Sequence, residues 1–223
     1  MKKDKRCSLA EAAALVQDGM TIMVGGFLGV GTPEALIDAL VDRKVRKLTL
    51  VANDTSFVDK GVGKLIAAGC VEKVIASHIG TNGETGRQYL AGELSVELVP
   101  QGTLAERIRC GGAGLGGVLT PVGLGTVVEE GKKKIISGTR EYLLELPLRA
   151  DVALLQARRA DTYGNLIYDQ TARNFNPLMA LAADVVAVLA EEVTPVGALL
   201  PDSVATPGIV VDYVVAGGKD NGC

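Results

Sequence analysis

Four glycines within seven positions, Gly25, Gly26, Gly29 and Gly31, follow the uncharged apolar run from Thr21 to Val24 and precede Thr32-Pro33-Glu34. Glycines spaced this way let a backbone bend sharply and bring its N–H groups close to a ligand, which is anion-binding chemistry. Phe27, Leu28 and Val30 are the side chains left in the loop. Beyond it, Thr32 is expected to cap a helix, Pro33 suits its first turn, Glu34 sits near its positive end, and ALIDALV supplies an apolar stripe. Two readings stay open on these residues alone: a tight strand-to-helix turn, or a site for something phosphorylated or anionic. The Gly-Lys-Ser/Thr ending of a phosphate-binding P-loop is absent. A dinucleotide fingerprint lacks its third glycine, because Gly29-Val30-Gly31 runs into Thr-Pro-Glu.

Other chemistry-bearing residues are weaker signals. Gly112-Ala-Gly114-Leu-Gly116-Gly117 fits GxGxxG formally, yet Val-Leu-Thr-Pro follows it in place of a helix. His78 is the only histidine; it ends an apolar strand with no Ser or Asp pattern nearby, which favours a structural role over a general base. Glu191 and Glu192 end another apolar run and read as a solvated strand end. Glu93, Glu97 and Glu106 read as surface charges, Asp161 beside Gly164-Asn165 as turn chemistry, and Lys132 to Lys134 as a solvated turn. Arg107 and Arg109 sit either on a solvated helix face or against phosphates. Cys7, Cys70, Cys110 and Cys223 lie far apart with no CxxC pair, so neither a zinc site nor a disulfide framework is suggested, and no metal is expected.

The elements that must hold these residues alternate. Ser8 and Glu11 have capping-box spacing ahead of an alanine-rich helix. Strands are expected at 21–24, 47–52, 71–77 and 96–99, and helices at 33–42, 61–68, 85–90 and 104–108. The rhythm then breaks in a glycine-rich loop from Gly111 to Gly125. Strands at 142–146, 152–156, 166–168, 185–190 and 209–215 follow, with a helix opened by Asn176-Pro177. This β-α-β order predicts an α/β fold of three layers, with a mainly parallel sheet, helices on both faces and ligands beyond the strand ends. All 223 residues are expected to form one domain, without a dividing linker or repeat. A formal charge of −3 argues against nucleic acid as partner. No apolar run is long enough for a membrane span, and the basic start MKKDKR lacks a following apolar segment, so a cytoplasmic protein is expected.

Asp18-Gly19, Ile22 to Val24, Gly25-Gly26-Phe27, Gly31 and Pro33 resemble the signature of the alpha subunit of family I coenzyme A transferases. Further segments are similar in order: VANDTS at 51–56, SHIGTN at 77–82, the run at 87–126, DTYGNLIY at 161–168 and ARNFNP at 172–177. The likeness covers nearly the whole chain and is strongest to the class acting on acetate, butyrate and acetoacetate.

The resemblance implies a division of labour. A glutamate of the beta half, in a Ser/Glu-Asn-Gly type motif, attacks the thioester and passes through an anhydride and a glutamyl-CoA thioester. This chain has no Glu-Asn-Gly, so no catalytic nucleophile is expected in it. By the same resemblance, Gly25, Gly26, Phe27, Leu28, Gly29, Val30 and Gly31 bind coenzyme A, with loop N–H groups aimed at developing negative charge. Asn53 and Gln101 line the pocket for the substrate carboxylate, and Gly112 and Gly114 are further loop contacts. Asp54 departs from the pattern, since some relatives carry a second asparagine there. Coenzyme A would be substrate and no separate cofactor is implied; the partner would be a homologous beta subunit in an α2β2 assembly. The alternatives are an NAD-dependent oxidoreductase and a non-catalytic acyl-CoA-binding module.

Overall fold

In the computed structural model, which describes residues 4–217, the chain builds one large sheet, a small one, and helices on both faces of the large sheet. Cys223 and the start of the basic MKKDKR segment lie outside the described residues. In chain order the first half runs β1 (Arg6–Cys7), α1 (Leu9–Ala14), β2 (Thr21–Val24), α2 (Glu34–Asp42), β3 (Leu48–Val51), α3 (Gly63–Ala67), β4 (Val71–Ala76), α4 (Gly83–Leu90), β5 (Ser95–Leu98) and α5 (Gln101–Gly112). The second half runs β6 (Val118–Thr120), β7 (Lys134–Ser137), β8 (Arg140–Glu145), β9 (Ala150–Asp161), β10 (Leu166–Ile167), α6 (Asn176–Met179), β11 (Ala183–Thr194) and β12 (Tyr213–Ala216).

The large sheet has the order β1-β12-β11-β9-β2-β3-β4-β5, every pair along it parallel, while β10 pairs antiparallel with β9. Its inner strands are largely buried on both faces, and alternate side chains serve different cores. Ile22 and Val24 join a core with Leu36, Ile37 and Leu40 of α2 and Leu65 and Ile66 of α3. Met23 points the other way, into a core with Leu104 and Ile108 of α5 and Met179 of α6. The three-layer α/β architecture expected from the sequence is therefore observed. Beside β2 the strand order reverses, running through β3 to β5 on one side and through β9 to β12 on the other. The crevice at such a reversal, beyond the strand ends, is where open α/β sheets bind ligands.

Local signals explain most boundaries. Ser8 and Glu11 form the expected capping box, with Ser8 N–H donating to Glu11 at 2.8 Å and Glu11 N–H donating to Ser8 Oγ at 3.2 Å. Thr32 does not cap α2, contrary to expectation. Pro33 holds the cap position with no side-chain hydrogen bond, and Thr32 Oγ1 lies 2.0 Å from where a Cβ on Gly26 would stand.

The stretch after Gly111 is less irregular than expected. Residues 118–120 pair with β8, which also pairs with β7, making a three-stranded antiparallel sheet. Lys132 is not a solvated turn residue: its ammonium meets the buried Glu145 carboxylate at 2.5 Å. Arg107 is likewise no solvated residue, since it reaches Glu97 at 2.8 Å and donates to Leu146 O at 2.9 Å, tying the small sheet to α5. Residues 209–210, expected as strand, lie in a 3-10 turn, and the last strand begins at Tyr213.

Candidate functional site

The glycine loop leaves β2 at the reversal point and is shaped by residues that would not tolerate side chains in it. A Cβ on Gly25 would stand 1.9 Å from Asn176 Oδ1, and one on Gly31 would stand 2.7 Å from Ala172 O. At its tip Phe27 and Val30 exchange backbone hydrogen bonds of 3.0 and 2.9 Å. Leu28 between them has a φ of 48°, left-handed backbone that a leucine adopts only when its surroundings impose it.

Two asparagines and one aspartate impose it. Asn174 accepts from Gly26 N–H at 3.1 Å and donates to Val30 O at 3.0 Å, bracketing the tip. Asn176, fully buried, donates to Gly31 O at 3.0 Å and Ala172 O at 2.8 Å and accepts from Gln156 N–H at 3.1 Å. It thus locks the loop's far end to β9 and to its own segment. Asp54, also buried, accepts from Leu28 N–H at 2.9 Å, from Ser56 N–H at 2.7 Å and from Asn53 Nδ2 at 2.6 Å. All three groups act across long sequence separations, and the sequence expectations, which used Asn176 only to open a helix, gave none of them this clamping role.

Asn53 and Gln101 stand together, as the sequence reading required. Gln101 Nε2 donates to Asn53 Oδ1 at 2.6 Å, and the Ser77 hydroxyl lies between Asn53 O, at 2.7 Å, and Gln101 Oε1. A carboxamide carries two N–H donors. One on each amide is consumed in this chain of bonds, leaving one on Asn53 and one on Gln101 with no protein acceptor among the described residues. Through Asp54 the amide pair is continuous with the tip of the glycine loop.

Most amides of that loop are already engaged. Gly25 N–H donates to Leu154 O at 3.0 Å, and those of Gly26, Phe27, Leu28 and Val30 are held as described. Among the described residues the amides of Gly29 and Gly31 have no protein acceptor. Phe27 and Val30, with Thr171 and Asn174, line a cleft of about 510 Å³ whose walls are mostly apolar.

A second loop copies the first. After β3 the sequence runs Phe57-Val58-Asp59-Lys60-Gly61, matching Phe27-Leu28-Gly29-Val30-Gly31 in its phenylalanine and final glycine. Phe57 and Lys60 form the same bridge as Phe27 and Val30, with Lys60 N–H donating to Phe57 O at 3.2 Å. This short F-x-x-x-G repeat went unread in the sequence.

The remaining candidates separate from this constellation. Gly112 ends α5 and packs against Leu181, Gly114 faces open space, and no hydrogen bond joins either to residues 25–31 among the described residues. A helix precedes these glycines and a strand follows them, the reverse of a dinucleotide turn. His78 is exposed; its carbonyl accepts from Thr55 N–H at 3.2 Å and its imidazole makes no hydrogen bond among the described residues. Glu191 pairs with Arg158, and Glu192 with Arg159 at 3.1 Å, as charged neighbours at exposed strand ends. Arg109 pairs with Glu106 on the surface of α5 at 2.9 Å. Asp161 makes the expected turn, accepting from Tyr163 and Asn165 N–H at 3.0 and 2.9 Å.

Comparison with known proteins places this geometry in context. The family profile described as coenzyme A transferase matches residues 6–217. The acetate CoA-transferase subunit alpha of Escherichia coli K12 is 60% identical over 213 residues, 96% of this chain and 97% of that protein. The acetoacetyl-CoA:acetate/butyrate CoA transferase alpha subunit of Clostridium acetobutylicum is 54% identical over 89% of this chain and 91% of that one. Among solved structures, an acyl-CoA transferase of E. coli O157:H7, in a thioester complex with CoA, superposes with a TM-score of 0.88 at 24% identity. That match takes in 96% of this chain but 47% of the larger one, so this chain spans about half its length and the likeness speaks to fold.

Proposed function

The chain belongs to the coenzyme A transferase family, as one of its alpha subunits, and from that premise we propose how its residues divide the work with a beta subunit. Residues 25–31 hold the acyl-CoA, Asn53 and Gln101 receive the carboxylate of the acid, and the nucleophile comes from the partner. One observation carries this reading: a single run of hydrogen bonds, Leu28 to Asp54 to Asn53 to Gln101, joins the loop to the amide pair. Thioester and acid are thereby held at adjoining points of one rigid frame, the proximity that transfer between them needs.

The family chemistry supplies the steps. A partner glutamate oxygen attacks the thioester carbon, the C–S bond breaks, and the coenzyme leaves as thiolate from an acyl-glutamyl anhydride. The thiolate then attacks the glutamyl carbonyl and expels the first acid as carboxylate, leaving a glutamyl-CoA thioester. A second acid reverses the sequence. Amide donors in a partly buried site suit it, because they bind carboxylates and developing oxyanions without bringing a charge. No electrons are gained or lost and no acid requires activation by another group. The proposal therefore includes no cofactor beyond coenzyme A as substrate.

The names of the relatives support acetate, butyrate and acetoacetate as the acids, and their designation as alpha subunits supports a homologous beta partner. An α2β2 assembly, residence in the cytoplasm and action of the chain as one domain complete the proposal. The test is an assay for acetate-dependent formation of acetyl-CoA from butyryl-CoA, with this chain alone and mixed with its beta partner. Turnover is expected only from the mixture; turnover by the isolated chain at the mixture's rate overturns the proposal.

A further inference from the structure

We infer that Lys60, reaching from the second loop, is a recognition point for the phosphate groups of coenzyme A; the inference rests on the reading that residues 25–31 hold the acyl-CoA. The Lys60 stem lies across the glycine loop. Its Cε, Cδ and Cγ are 2.5, 2.9 and 3.1 Å from where a Cβ on Gly29 would stand, so the absent side chain is what makes room for it. The ammonium group forms no ion pair among the described residues, although acids are near in sequence and space. Asp59, beside it in sequence, does not pair with it, and Lys64 takes the acids of α2: it meets Glu34 at 2.6 Å and also pairs with Asp38, and Glu34 in addition accepts from Gly61 N–H at 2.9 Å.

Lys60 therefore presents an unpaired positive charge over a loop where two backbone amides, those of Gly29 and Gly31, also have no protein acceptor among the described residues. An ammonium beside free N–H dipoles is phosphate-binding chemistry. The apolar cleft of Phe27 and Val30 on the same loop suits the uncharged arm of the same molecule. The small acid is served elsewhere, by Asn53 and Gln101, so Lys60 discriminates the coenzyme and not the acid.

The experiment uses the complex with the beta subunit and compares wild type with Lys60→Ala on two thioesters, acetyl-CoA and S-acetyl-pantetheine, the second lacking phosphate. Lys60→Ala raises KM for acetyl-CoA about tenfold, the worth of one charge-assisted hydrogen bond. The loss falls on KM more than on kcat, leaves KM for acetate in place, and is absent with the pantetheine thioester. Lys60→Arg restores most of the affinity. Wild-type KM for acetyl-CoA climbs with ionic strength more steeply than that of Lys60→Ala, because screening weakens only the charged contact. Equal losses on both thioesters, an unchanged KM for acetyl-CoA, or a change confined to acetate overturns the assignment of Lys60 alone. A wild-type complex that turns over neither thioester overturns the reading of the loop, and this inference with it.

Discussion

Three polar side chains, the buried Asp54 and Asn176 and the half-buried Asn174, carry the shape of the site, each bonded to the backbone it holds. Removing Asn176 orphans Gly31 O, Ala172 O and Gln156 N–H together. We expect Asn176→Ala to lower stability by about 2 to 4 kcal/mol, since each buried group left without a partner costs about 1 to 3 kcal/mol. Urea unfolding should show a lower midpoint at an unchanged slope. A loss below about 0.5 kcal/mol, the scatter of ordinary surface changes, contradicts the clamp. Residues 25–31 stood out in the sequence by their glycine spacing, whereas Asn53 and Gln101 were picked out only through the family resemblance, their amides carrying no local signal of their own. The clamps were not, because an asparagine in ARNFNP looks like any turn residue until Gly31, 145 positions away, is folded against it. Lys60 was hidden for a similar reason: its use depends on two neighbouring strands delivering two copies of one loop side by side.

At the scale of elements, strands covered on both faces read clearly, and β2 to β5 fall within a residue or two of expectation. The two central strands β9 and β11 were read at half their observed 12 residues. Their extensions carry Arg158, Arg159, Glu191 and Glu192, charges that resemble a strand end in sequence. In the sheet Glu192 lies beside Arg159, and the opposite charges support each other. The small sheet was missed because its strands are short and set among glycines. Helix α4 offers a pH test. Arg87, and then Gln88, hydrogen-bond the Glu84 carboxylate and hold its pKa down at about 2. A depressed folded pKa contributes stability that is present above the unfolded value near 4.5 and fades as pH falls toward 2. Glu84→Gln should therefore be less stable than wild type at neutral pH, with the gap closing between pH 5 and about 2. Thermal unfolding across that range checks it, and a gap independent of pH contradicts the assignment.

For the whole molecule, the parallel sheet places the glycine loop, its copy and the amide pair at one edge, where the acids bonded to the loop backbone are held in place. The carboxylates hydrogen-bonded to the two loops among the described residues are Asp54 and Glu34. Asp54 is filled by three donors, and Glu34 by Gly61 and Lys64. Glu191 and Glu192 are exposed and matched with arginines. Asp54 and Glu34 are held in structural bonds, the exposed Asp59 of the second loop has no side-chain partner among the described residues, and the proposal takes the attacking oxygen from another chain. The direct measurement is to incubate the assembled complex with acetyl-CoA, trap the covalent intermediate with borohydride or hydroxylamine, and locate the modified residue in each subunit by peptide mass spectrometry. The account predicts modification of a single glutamate in the beta subunit and none in this chain; a trapped adduct on any residue of this chain contradicts it.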